Sequence, residues 1–376
     1  MHNVNDILIE KEISNMKTSE IAFKVFYEKG ETNEPNCFKI PNLTLELTSS
    51  FFKYTSFWFF TVQECFSYLM KGCHLGFLKD FLAGTKNIIK RTEFLKQQDK
   101  NSIFYSYFFN DVAVSLALLK KHDTVCQVVS RTHGFETYKE QAPFHHIPFQ
   151  KFKLKYIDYI LPVSKQGKNY LINLFPNYSY KIKSMYLGTP SHTHINPFHT
   201  SIAIVSCAYV RSIKRLDLIP DALRLIDFPI SWTIIGDGED LPKIKSLCKE
   251  LPENISVNFL GNKSEKEIHD IYKTIPYSFL LSTSSSEGLP MSMMEAISFG
   301  IPIISTGVGG CNEIVTEETG ILISKDFSSK NLKDVIIEFK NSNLNHSEVR
   351  VNIKKFWIQN FNCDTNFNQF LNTINQ

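Results

Sequence analysis

The chain has 376 residues, of which 43% are hydrophobic and 21% charged, and its formal net charge is +3. This length allows two domains with separate cores, and the composition is that of an ordinary soluble globular protein. The small net charge argues against a nucleic-acid partner. No apolar run reaches the roughly 18 to 20 residues that span a bilayer, and the polar N-terminus lacks the pattern of a signal peptide.

The eight cysteines are scattered along the chain, with no Cys-x-x-Cys pair among them. Paired spacing is the usual sign of a zinc site or a redox motif, and small secreted folds use their cysteines in disulfides. The pattern therefore favours reduced thiols, and we expect a cytoplasmic protein.

Residues 1–190 are predicted to form an N-terminal α/β domain. Apolar runs indicate strands at Asp123–Ser130 and Tyr159–Val163, and helical spacing of apolar residues indicates helices at Asn110–Lys121 and Lys165–Leu174. Strands that alternate with helices predict a parallel sheet.

The segment Phe51–Leu82 is rich in phenylalanine and carries Lys53, Lys71 and Lys79. One interpretation is an amphipathic helix on an anionic bilayer, which would place the protein at the inner face of the cytoplasmic membrane. The other interpretation, which we favour, is a pair of helices buried in the first domain.

A polar segment that contains Pro197 and follows Pro190 predicts an interdomain linker at residues 191–200. The second domain, residues 201–350, alternates strands with helices, which predicts a doubly wound parallel sheet with its ligand at the carboxyl ends of the strands. Residues 351–376 are predicted to form a C-terminal helix, about Lys354–Leu371, that packs on the first domain. The predicted strands are Ile202–Cys207, Trp232–Ile235, Ile255–Leu260, Tyr277–Leu281, Ile301–Ser305 and Gly320–Ile323. The predicted helices are Leu218–Ile226, Leu241–Glu250 and Ser264–Lys273.

The segment from Ser284 to Val315 carries the most functional information. Glu287 opens a glycine-containing loop, and Pro290 suits the first turn of a helix because its missing N–H is no loss there. Glu295 lies on that helix, with seven residues between the two acids. This strand–loop–helix unit aims two carboxylates at one ligand.

The two acids, followed after the next strand by Gly309-Gly310, resemble the Glu-x7-Glu signature of the retaining glycosyltransferases of family 4. The resemblance covers roughly residues 130–323. It implies the GT-B fold, in which two Rossmann-like doubly wound domains face a central cleft. It also implies transfer of a sugar from a nucleoside diphosphate sugar with retention of anomeric configuration. Neither a cofactor nor a divalent metal is needed in this family, where the leaving phosphate itself can take the acceptor proton.

A diphosphate that leaves without a metal must be stabilised by positive side chains and helix N-termini. Family members usually carry an Arg and a Lys five residues apart after the first strand of the second domain. Lys214 matches the Lys, which makes it a candidate catalytic residue, whereas Tyr209 stands at the Arg position. We expect Arg211 or Arg215 to supply the missing charge.

The resemblance also assigns roles to the two acids. Glu287 would accept hydrogen bonds from the donor sugar as a catalytic residue, and the backbone around Gly288 and Leu289 would face sugar and phosphate. Glu295 would bind the ribose hydroxyls, because a carboxylate can accept two hydrogen bonds from a vicinal diol.

Two glycine turns complete the predicted donor site. Gly236 and Asp237 belong to a Gly-Asp-Gly turn that borders the nucleotide base in the family, and the amides of Gly309 and Gly310 would contact the phosphates or the acceptor side. Each turn also has a plain structural explanation, since tight turns favour glycine.

His133 follows an apolar strand and is a candidate catalytic residue, since the resemblance implies a histidine here that faces the donor sugar. Arg131 and Glu136 in the same segment are candidate acceptor contacts. Three histidines in the predicted linker lack acidic partners, so we predict no metal site there: His192, His194 and His199.

The start of the chain departs from the family pattern. A GT-B N-terminal domain usually begins with a strand and a glycine-rich turn. Here Asp6–Ile13 resembles the helix after that turn and Ala22–Tyr27 resembles the second strand. We therefore expect this domain to lack its first strand.

The resemblance implies a glycan or lipid-linked acceptor in the synthesis of capsule, exopolysaccharide or lipopolysaccharide. A truncated or degenerate member that binds nucleotide or a partner, without transfer, stays open because of the absent strand and Tyr209. A nucleotide-sugar epimerase of the same fold is a third interpretation, which the Glu-x7-Glu pattern does not favour.

Overall fold

The structure is a computed structural model that describes residues 25–27, 37–39, 53–122 and 127–375. The predicted helix at Asp6–Ile13 and the question of a first strand lie outside the described residues. Contacts divide the chain into two compact units. The first comprises Met1–Val163, Gly167–Ser184 and Phe370–Gln376, and the second comprises Ser164–Gln166 and Met185–Gln369.

The described residues of the first unit form two parallel sheets. Strand β1 (Val25–Tyr27) pairs with β2 (Cys37–Lys39), and the second sheet has the order β3 (Ile103–Ser106), β4 (Gln127–Thr132) and β5 (Tyr159–Pro162). The predictions of strands near β4 and β5 are confirmed. The helices of this part of the chain are α1 (Thr55–Leu69), α2 (Leu75–Leu95), α3 (Asp111–His122), α4 (Gly134–Thr137), α5 (Gln150–Tyr156) and α6 (Lys165–Leu174).

The phenylalanine-rich segment forms α1 and the start of α2, and one side of α1 packs into the core of the first unit. Tyr54 and Phe57 are fully buried. Phe57 stacks on Phe149 with ring centroids 5.2 Å apart and lies 5.4 Å from the ring of Phe152. Aromatic rings bury large apolar areas, so this cluster accounts for part of the phenylalanine content. The prediction that this segment forms helices buried in the first domain is therefore confirmed for this side of α1.

The opposite side of α1 is apolar and exposed. Phe59, Val62 and Phe66 recur at helical spacing and are 63%, 63% and 64% exposed. Three more exposed apolar side chains follow them between the end of α1 and the start of α2: Leu69, Met70 and Leu75. We call these six side chains together the apolar face of α1. Contiguous exposed apolar surface of this kind is typical of a site that meets a membrane or another molecule. Among the described residues, no helix combines the length and hydrophobicity needed to cross a bilayer.

The second unit contains a six-stranded parallel sheet. Its strands are β6 (Ile202–Cys207), β7 (Ile230–Ile235), β8 (Ile255–Gly261), β9 (Phe279–Ser282), β10 (Ile303–Thr306) and β11 (Gly320–Ile323). They lie in the order β11-β10-β9-β6-β7-β8, so the direction of winding reverses between β6 and β9. The crevice beyond the carboxyl ends of strands at such a switch point is where doubly wound sheets bind ligands.

The helices after residue 201 are α7 (Ile219–Leu223), α8 (Leu241–Cys248), α9 (Glu265–Thr274), α10 (Met291–Ser298), α11 (Cys311–Ile314), α12 (Ser329–Asn341), α13 (Ser347–Asn360) and α14 (Cys363–Ile374). They include the three predicted ones, and α8 and α9 begin and end within two residues of the predicted positions. Helix α7 begins one residue later than the predicted Leu218–Ile226, after two 3-10 turns at Ser212–Lys214 and Leu216–Leu218, and it ends three residues earlier.

The segment 191–200 packs against the sheet and helices of the second unit. Asn196 is buried, and its side-chain amide donates a hydrogen bond of 2.6 Å to the carbonyl oxygen of Tyr272. Arg350 donates to the side-chain oxygen of Asn196 at 2.8 Å. Hydrogen bonds therefore hold this polar segment in place.

The predicted single helix Lys354–Leu371 is two helices, α13 and α14. Asn362 lies between them, and its side-chain oxygen accepts hydrogen bonds of 3.0 Å from the backbone N–H groups of Asp364 and Thr365. This is the usual action of an N-cap residue, which satisfies N–H groups that have no partner inside the helix. The single-helix prediction missed this cap.

Candidate functional site

A cavity of about 410 Å³ lies in the second unit, beyond the carboxyl ends of β6, β7 and β9. The residues that line it are Cys207, Ala208, Tyr209, Lys214, Ile235, Gly236, Asn262, Lys263, Ile268, Glu287, Leu289, Pro290, Met291, Ser292 and Glu295. The cavity is thus at the switch point of the sheet, and both acids of the Glu-x7-Glu pattern line it.

Lys214 and Glu287 form an ion pair at the wall of the cavity. Lys214 Nζ lies 2.5 Å from Oε1 of Glu287, and the two side chains are 20% and 11% exposed. The hydroxyl of Ser284 donates to the same carboxylate oxygen at 2.6 Å. Because the pair is largely buried, salt screens it less than a surface pair. The fold therefore places two of the three predicted catalytic residues in direct contact.

The other two predicted cations lie elsewhere. Arg215 adopts a left-handed backbone conformation with φ of 49°, and its Nε donates to the carbonyl oxygen of Thr283 at 2.8 Å. Its guanidinium therefore fixes the loop after β9. Arg211 is exposed and is not among the residues that line the cavity. Lys263, which the sequence pattern did not single out, does line it.

Glu295 lies on α10 and is 8% exposed. Pro290 is the residue immediately before this helix, one position earlier than predicted. Both Met291 and Ser292 in the first turn line the cavity, so the N-terminal end of α10 borders it, and a helix N-terminus favours a bound anion. Burial raises the pKa of the nearby Cys207 thiol to about 12, and the charge of Glu295 adds to this shift.

Gly309 and Gly310 pack against the loop that carries Glu287. Gly309 has φ of +54°, and a Cβ added to it would stand 1.8 Å from the carbonyl oxygen of Glu287. The N–H of Gly310 donates a 2.7 Å hydrogen bond to the carbonyl oxygen of Gly288. A side chain at Gly309 would push the two loops apart, so the close approach requires glycine. Neither glycine is among the residues that line the cavity, and of Gly288 and Leu289 only Leu289 lines it.

The turn after β7 also depends on glycine. Gly236 lines the cavity with φ of +134°, and a Cβ on it would stand 1.9 Å from the carbonyl oxygen of Ala208. The N–H of Val210 donates to the carbonyl oxygen of Asp237 at 2.9 Å. These contacts join the loops after β6 and β7 into one wall of the cavity. The side chain of Asp237 is turned back to the N–H of Gly238 at 2.8 Å.

His133 lies in the first unit, directly after β4. Its ring packs near those of Tyr107 and Phe108, with centroid separations of 4.9 Å in both cases. Glu136 Oε2 lies 3.5 Å from Nδ1 of His133 and accepts hydrogen bonds from the backbone N–H groups of His133 and Phe109. Glu136 is only 4% exposed, so its carboxylate holds the His133 turn.

Two buried cations support the same part of the first unit. Arg131 is buried, and its Nε donates to the hydroxyl of Tyr105 at 3.0 Å, so it too is used inside the protein. Lys153 Nζ donates to the carbonyl oxygen of Phe109 at 2.5 Å. Burial lowers the pKa of Lys153 to about 8, against the opposing effect of Glu136.

The histidines of segment 191–200 have structural partners. His192 stacks on Phe299 with ring centroids 3.9 Å apart, and one ring nitrogen lies 2.9 Å from the hydroxyl oxygen of Ser298. Lys354 donates to the carbonyl oxygens of His192 and His194. Desolvation and the neighbouring Lys354 lower the pKa of His192 to about 4.

A cluster beside the cavity was missed by the sequence interpretation. Glu265 and His269 lie one turn apart on α9, and each offers a ligand atom close to Glu295. The signal was present as a Glu-x3-His spacing, which puts both side chains on one face of a helix.

Two solved structures illustrate the similarity of this fold to known proteins. The apo form of the lipopolysaccharide outer core galactosyltransferase WaaB matches with a TM-score of 0.65 at 20% identity, over 78% of this chain and 81% of that chain. HepE of Anabaena in complex with UDP matches with a TM-score of 0.61 at 16% identity, over 77% of this chain and 81% of that chain. Because the sequence identities are this low, the similarity to these structures concerns the fold alone. The chain has the GT-B fold, which confirms the predicted fold class.

The sequence also resembles those of known glycosyltransferases. Residues 192–356 match the model of the family described as Glycosyl transferases group 1. An uncharacterized glycosyltransferase of Methanocaldococcus jannaschii is 29% identical over 235 residues, which are 62% of this chain and 63% of that protein. The O-antigen biosynthesis glycosyltransferase WbnH of Escherichia coli is 38% identical over 93 residues, 25% of each chain. The chain therefore spans less than two thirds of the length of these curated relatives.

Proposed function

We propose that the protein is a retaining glycosyltransferase that moves a sugar from a nucleoside diphosphate sugar to a glycan or lipid-linked glycan acceptor. The observation that carries the proposal is the cavity at the switch point of the second unit, which brings Lys214, Glu287 and Glu295 together. A glycosidase interpretation of the two acids fits less well, because Lys214 neutralises one of them and both lie in one strand–helix unit.

The donor would bind with its ribose at Glu295, whose carboxylate can accept hydrogen bonds from both hydroxyls. Its diphosphate would lie between Lys214 and the N-terminal end of α10, where positive charge and helix amides stabilise an anion. Lys263 supplies a second cation at the cavity wall, in place of the Arg that Tyr209 replaces. Glu287 would accept hydrogen bonds from the sugar. In this arrangement protein groups stabilise the leaving diphosphate without a metal.

The acceptor is proposed from the relatives. WbnH is named for O-antigen biosynthesis and WaaB for the lipopolysaccharide outer core. We therefore place the reaction in the synthesis of capsule, exopolysaccharide or lipopolysaccharide. A non-catalytic member that only binds nucleotide is the second candidate, favoured by Tyr209, which is 61% exposed at the position of the family Arg.

We further propose that the apolar face of α1 rests on the inner face of the cytoplasmic membrane. Its phenylalanines can enter the interface between headgroups and acyl chains, as amphipathic helices do. Lys53, Lys71 and Lys79 are exposed at or near the ends of the face, and their charge complements anionic lipid headgroups. A protein held there would meet lipid-linked acceptors.

The deciding experiment is a binding and slow-hydrolysis panel of UDP-, GDP- and ADP-sugars with EDTA present. Glu295→Ala and Lys214→Ala are expected to lower the affinity for the preferred donor at least about tenfold each, since each removes a charge-assisted contact. Lys243→Ala is the matched control, because Lys243 is an exposed lysine of the same unit that pairs with Asp217.

Folded wild-type protein that binds none of the donors would refute the proposal for this chain. Binding without hydrolysis or transfer to any offered acceptor would favour the non-catalytic candidate. Retention is tested separately, by the anomeric signal of the first product in NMR spectra; inversion would overturn that part of the proposal.

A further inference from the structure

We propose that Glu265, His269 and Glu295 form a binding site for a divalent transition-metal ion, and that the ion competes with a nucleoside for Glu295. The metal site stands on its own geometry. The competition rests on the proposed function, because it takes Glu295 as the ligand of the ribose hydroxyls.

The three ligand atoms are already close together. His269 Nε2 lies 3.8 Å from Oε1 of Glu265, and the carboxylate of Glu295 completes a set in which all ligand atoms are within 4.8 Å of one another. Ligands at about 2.1 Å from a tetrahedral zinc ion are roughly 3.4 Å apart. Small side-chain rotations would bring the ligand atoms from their present separations to this distance. Glu265 can rotate in this way because its side chain is 28% exposed.

Neighbouring helices and side chains hold the three ligand residues in position. Helix α9 begins at a capping box, in which Ser264 and Glu267 satisfy each other's backbone N–H groups, and this fixes the turn that carries Glu265. The ring of His269 meets Phe299 edge-on at a centroid distance of 5.3 Å. Glu295 is held on the buried helix α10. Two adjacent helices thus supply the set, which favours a defined geometry over a casual surface contact.

The ligand chemistry selects the kind of ion. One imidazole with two carboxylates suits Zn²⁺, Co²⁺ or Mn²⁺, whereas Ca²⁺ and Mg²⁺ prefer oxygen ligands alone. Two carboxylates balance the charge of a divalent ion. Three protein ligands leave at least one position for water, as in other three-ligand sites.

Occupation of the site would use the carboxylate that the ribose needs. A metal-bound Glu295 has fewer free lone pairs for the two hydroxyls of the nucleoside, and its charge is drawn toward the ion. The ion would therefore act as an inhibitor of a reaction that needs no metal.

The test is a titration of the full chain with Co²⁺, followed by calorimetry and by the visible absorption of the bound ion. Glu265→Gln and His269→Gln are each expected to weaken Co²⁺ binding at least about tenfold, since changes in a metal's supporting shell alone cost about 10- to 100-fold. Asp270→Asn is the matched control. It removes one negative charge from the same helix, but from a side chain that pairs with Lys273, and it is expected to bind Co²⁺ like the wild type.

Competition is measured with adenosine, cytidine, guanosine and uridine, which carry the ribose diol but no phosphate that could chelate the ion. Co²⁺ is expected to weaken binding of the preferred nucleoside in the wild type and not in His269→Gln. Equal Co²⁺ affinity in the wild type and both ligand variants would overturn the metal site. Nucleoside and Co²⁺ bound together without mutual weakening would overturn the competition. A metal site without nucleoside binding would overturn the competition, and absence of donor binding as well would refute the proposed function; the metal site stands in either case.

Discussion

The ammonium group of Lys214 donates a hydrogen bond of 2.5 Å to the carboxylate of Glu287, so the cation expected to hold the diphosphate is paired with the acid expected to hold the sugar. A bound diphosphate would place further negative charge beside the same ammonium. The carboxylate of Glu287 therefore opposes the phosphates for Lys214, and the strength of nucleotide binding depends on that competition.

Glu287→Gln is predicted to strengthen the binding of the free nucleoside diphosphate. The same substitution is predicted to remove most of the sugar-transfer activity. Removal of the negative charge frees Lys214 and relieves repulsion of the phosphates. At an effective dielectric constant near 20, charges a few ångströms apart interact by about 4 kcal/mol, so a gain of about tenfold in affinity is a modest expectation. Calorimetry with the preferred nucleoside diphosphate measures it. Glu253→Gln, an exposed acid in the turn before β8, is the control, and weaker binding by Glu287→Gln would contradict the prediction.

Gly309→Ala is predicted to destabilise the second unit and to lower donor affinity, although Gly309 does not line the cavity. The added methyl group would overlap the carbonyl oxygen of Glu287 and would also sit at a positive φ. The combined strain is expected to cost about 1 to 3 kcal/mol. Urea unfolding and donor titration measure the two effects.

Gly84→Ala is the matched substitution. Gly84 lies inside α2, and a Cβ there would meet no atom within 4 Å. Alanine in a helix is favoured over glycine by about 0.5 to 1 kcal/mol, so this variant is expected to gain stability and to keep its donor affinity. Similar losses from both substitutions would show that the contact with Glu287 is not the cause.

The stability of the second unit is predicted to fall as the pH drops from 6.5 toward 4. His192 has a folded-state pKa lowered from 6.5 to about 4 by desolvation, Lys354, His269, His194 and Lys273. Between these values the unfolded chain binds more protons than the folded one, so acid favours unfolding. Because His192 is only half-buried, solvent screening reduces the effect to about 1 to 2 kcal/mol.

The measurement is the free energy of unfolding between pH 4 and pH 8. His192→Asn is expected to flatten the pH dependence while it lowers stability at pH 8 through the lost stacking on Phe299. A variant whose curve runs parallel to that of the wild type would exclude His192 as the titrating group.

The double variant Phe59→Ser/Phe66→Ser is predicted to lose binding to vesicles that contain anionic lipids. Each exposed phenylalanine contributes about 1.5 to 3 kcal/mol if fully withdrawn from water, so partial insertion of two gives at least about a tenfold loss. Sedimentation with phosphatidylglycerol-containing vesicles measures it. Leu322→Ser removes an exposed apolar side chain from the second unit and is expected to bind like the wild type. No vesicle binding by the wild type would reject the membrane proposal.

The strands of the second unit could be predicted well because the periodicity of apolar residues is clear in its sequence. Each predicted strand there is present, displaced at an end by no more than two residues, since short apolar runs alternate with amphipathic helices. The acids Glu287 and Glu295 were found through their resemblance to the Glu-x7-Glu signature, and the alternating pattern predicted that both lie at the edge of the sheet that binds ligands.

Side-chain direction was harder to predict than position. Arg215 follows Lys214 in sequence, yet its left-handed backbone sends the guanidinium to the carbonyl oxygen of Thr283. Glu136 was expected at an acceptor surface, but its carboxylate is enclosed and accepts backbone hydrogen bonds. A linear pattern places a residue in a loop; it does not tell whether the loop turns that residue outward.

The contact of Gly309 and Gly310 with Glu287 and Gly288 has a consequence for anyone who engineers this protein. Two sequence motifs that lie some twenty residues apart share one packing surface with no room for a side chain. A donor pocket transplanted into another scaffold would therefore have to bring both loops, because the acid-bearing loop moved alone would lose the backbone wall that fixes where its carboxylate stands.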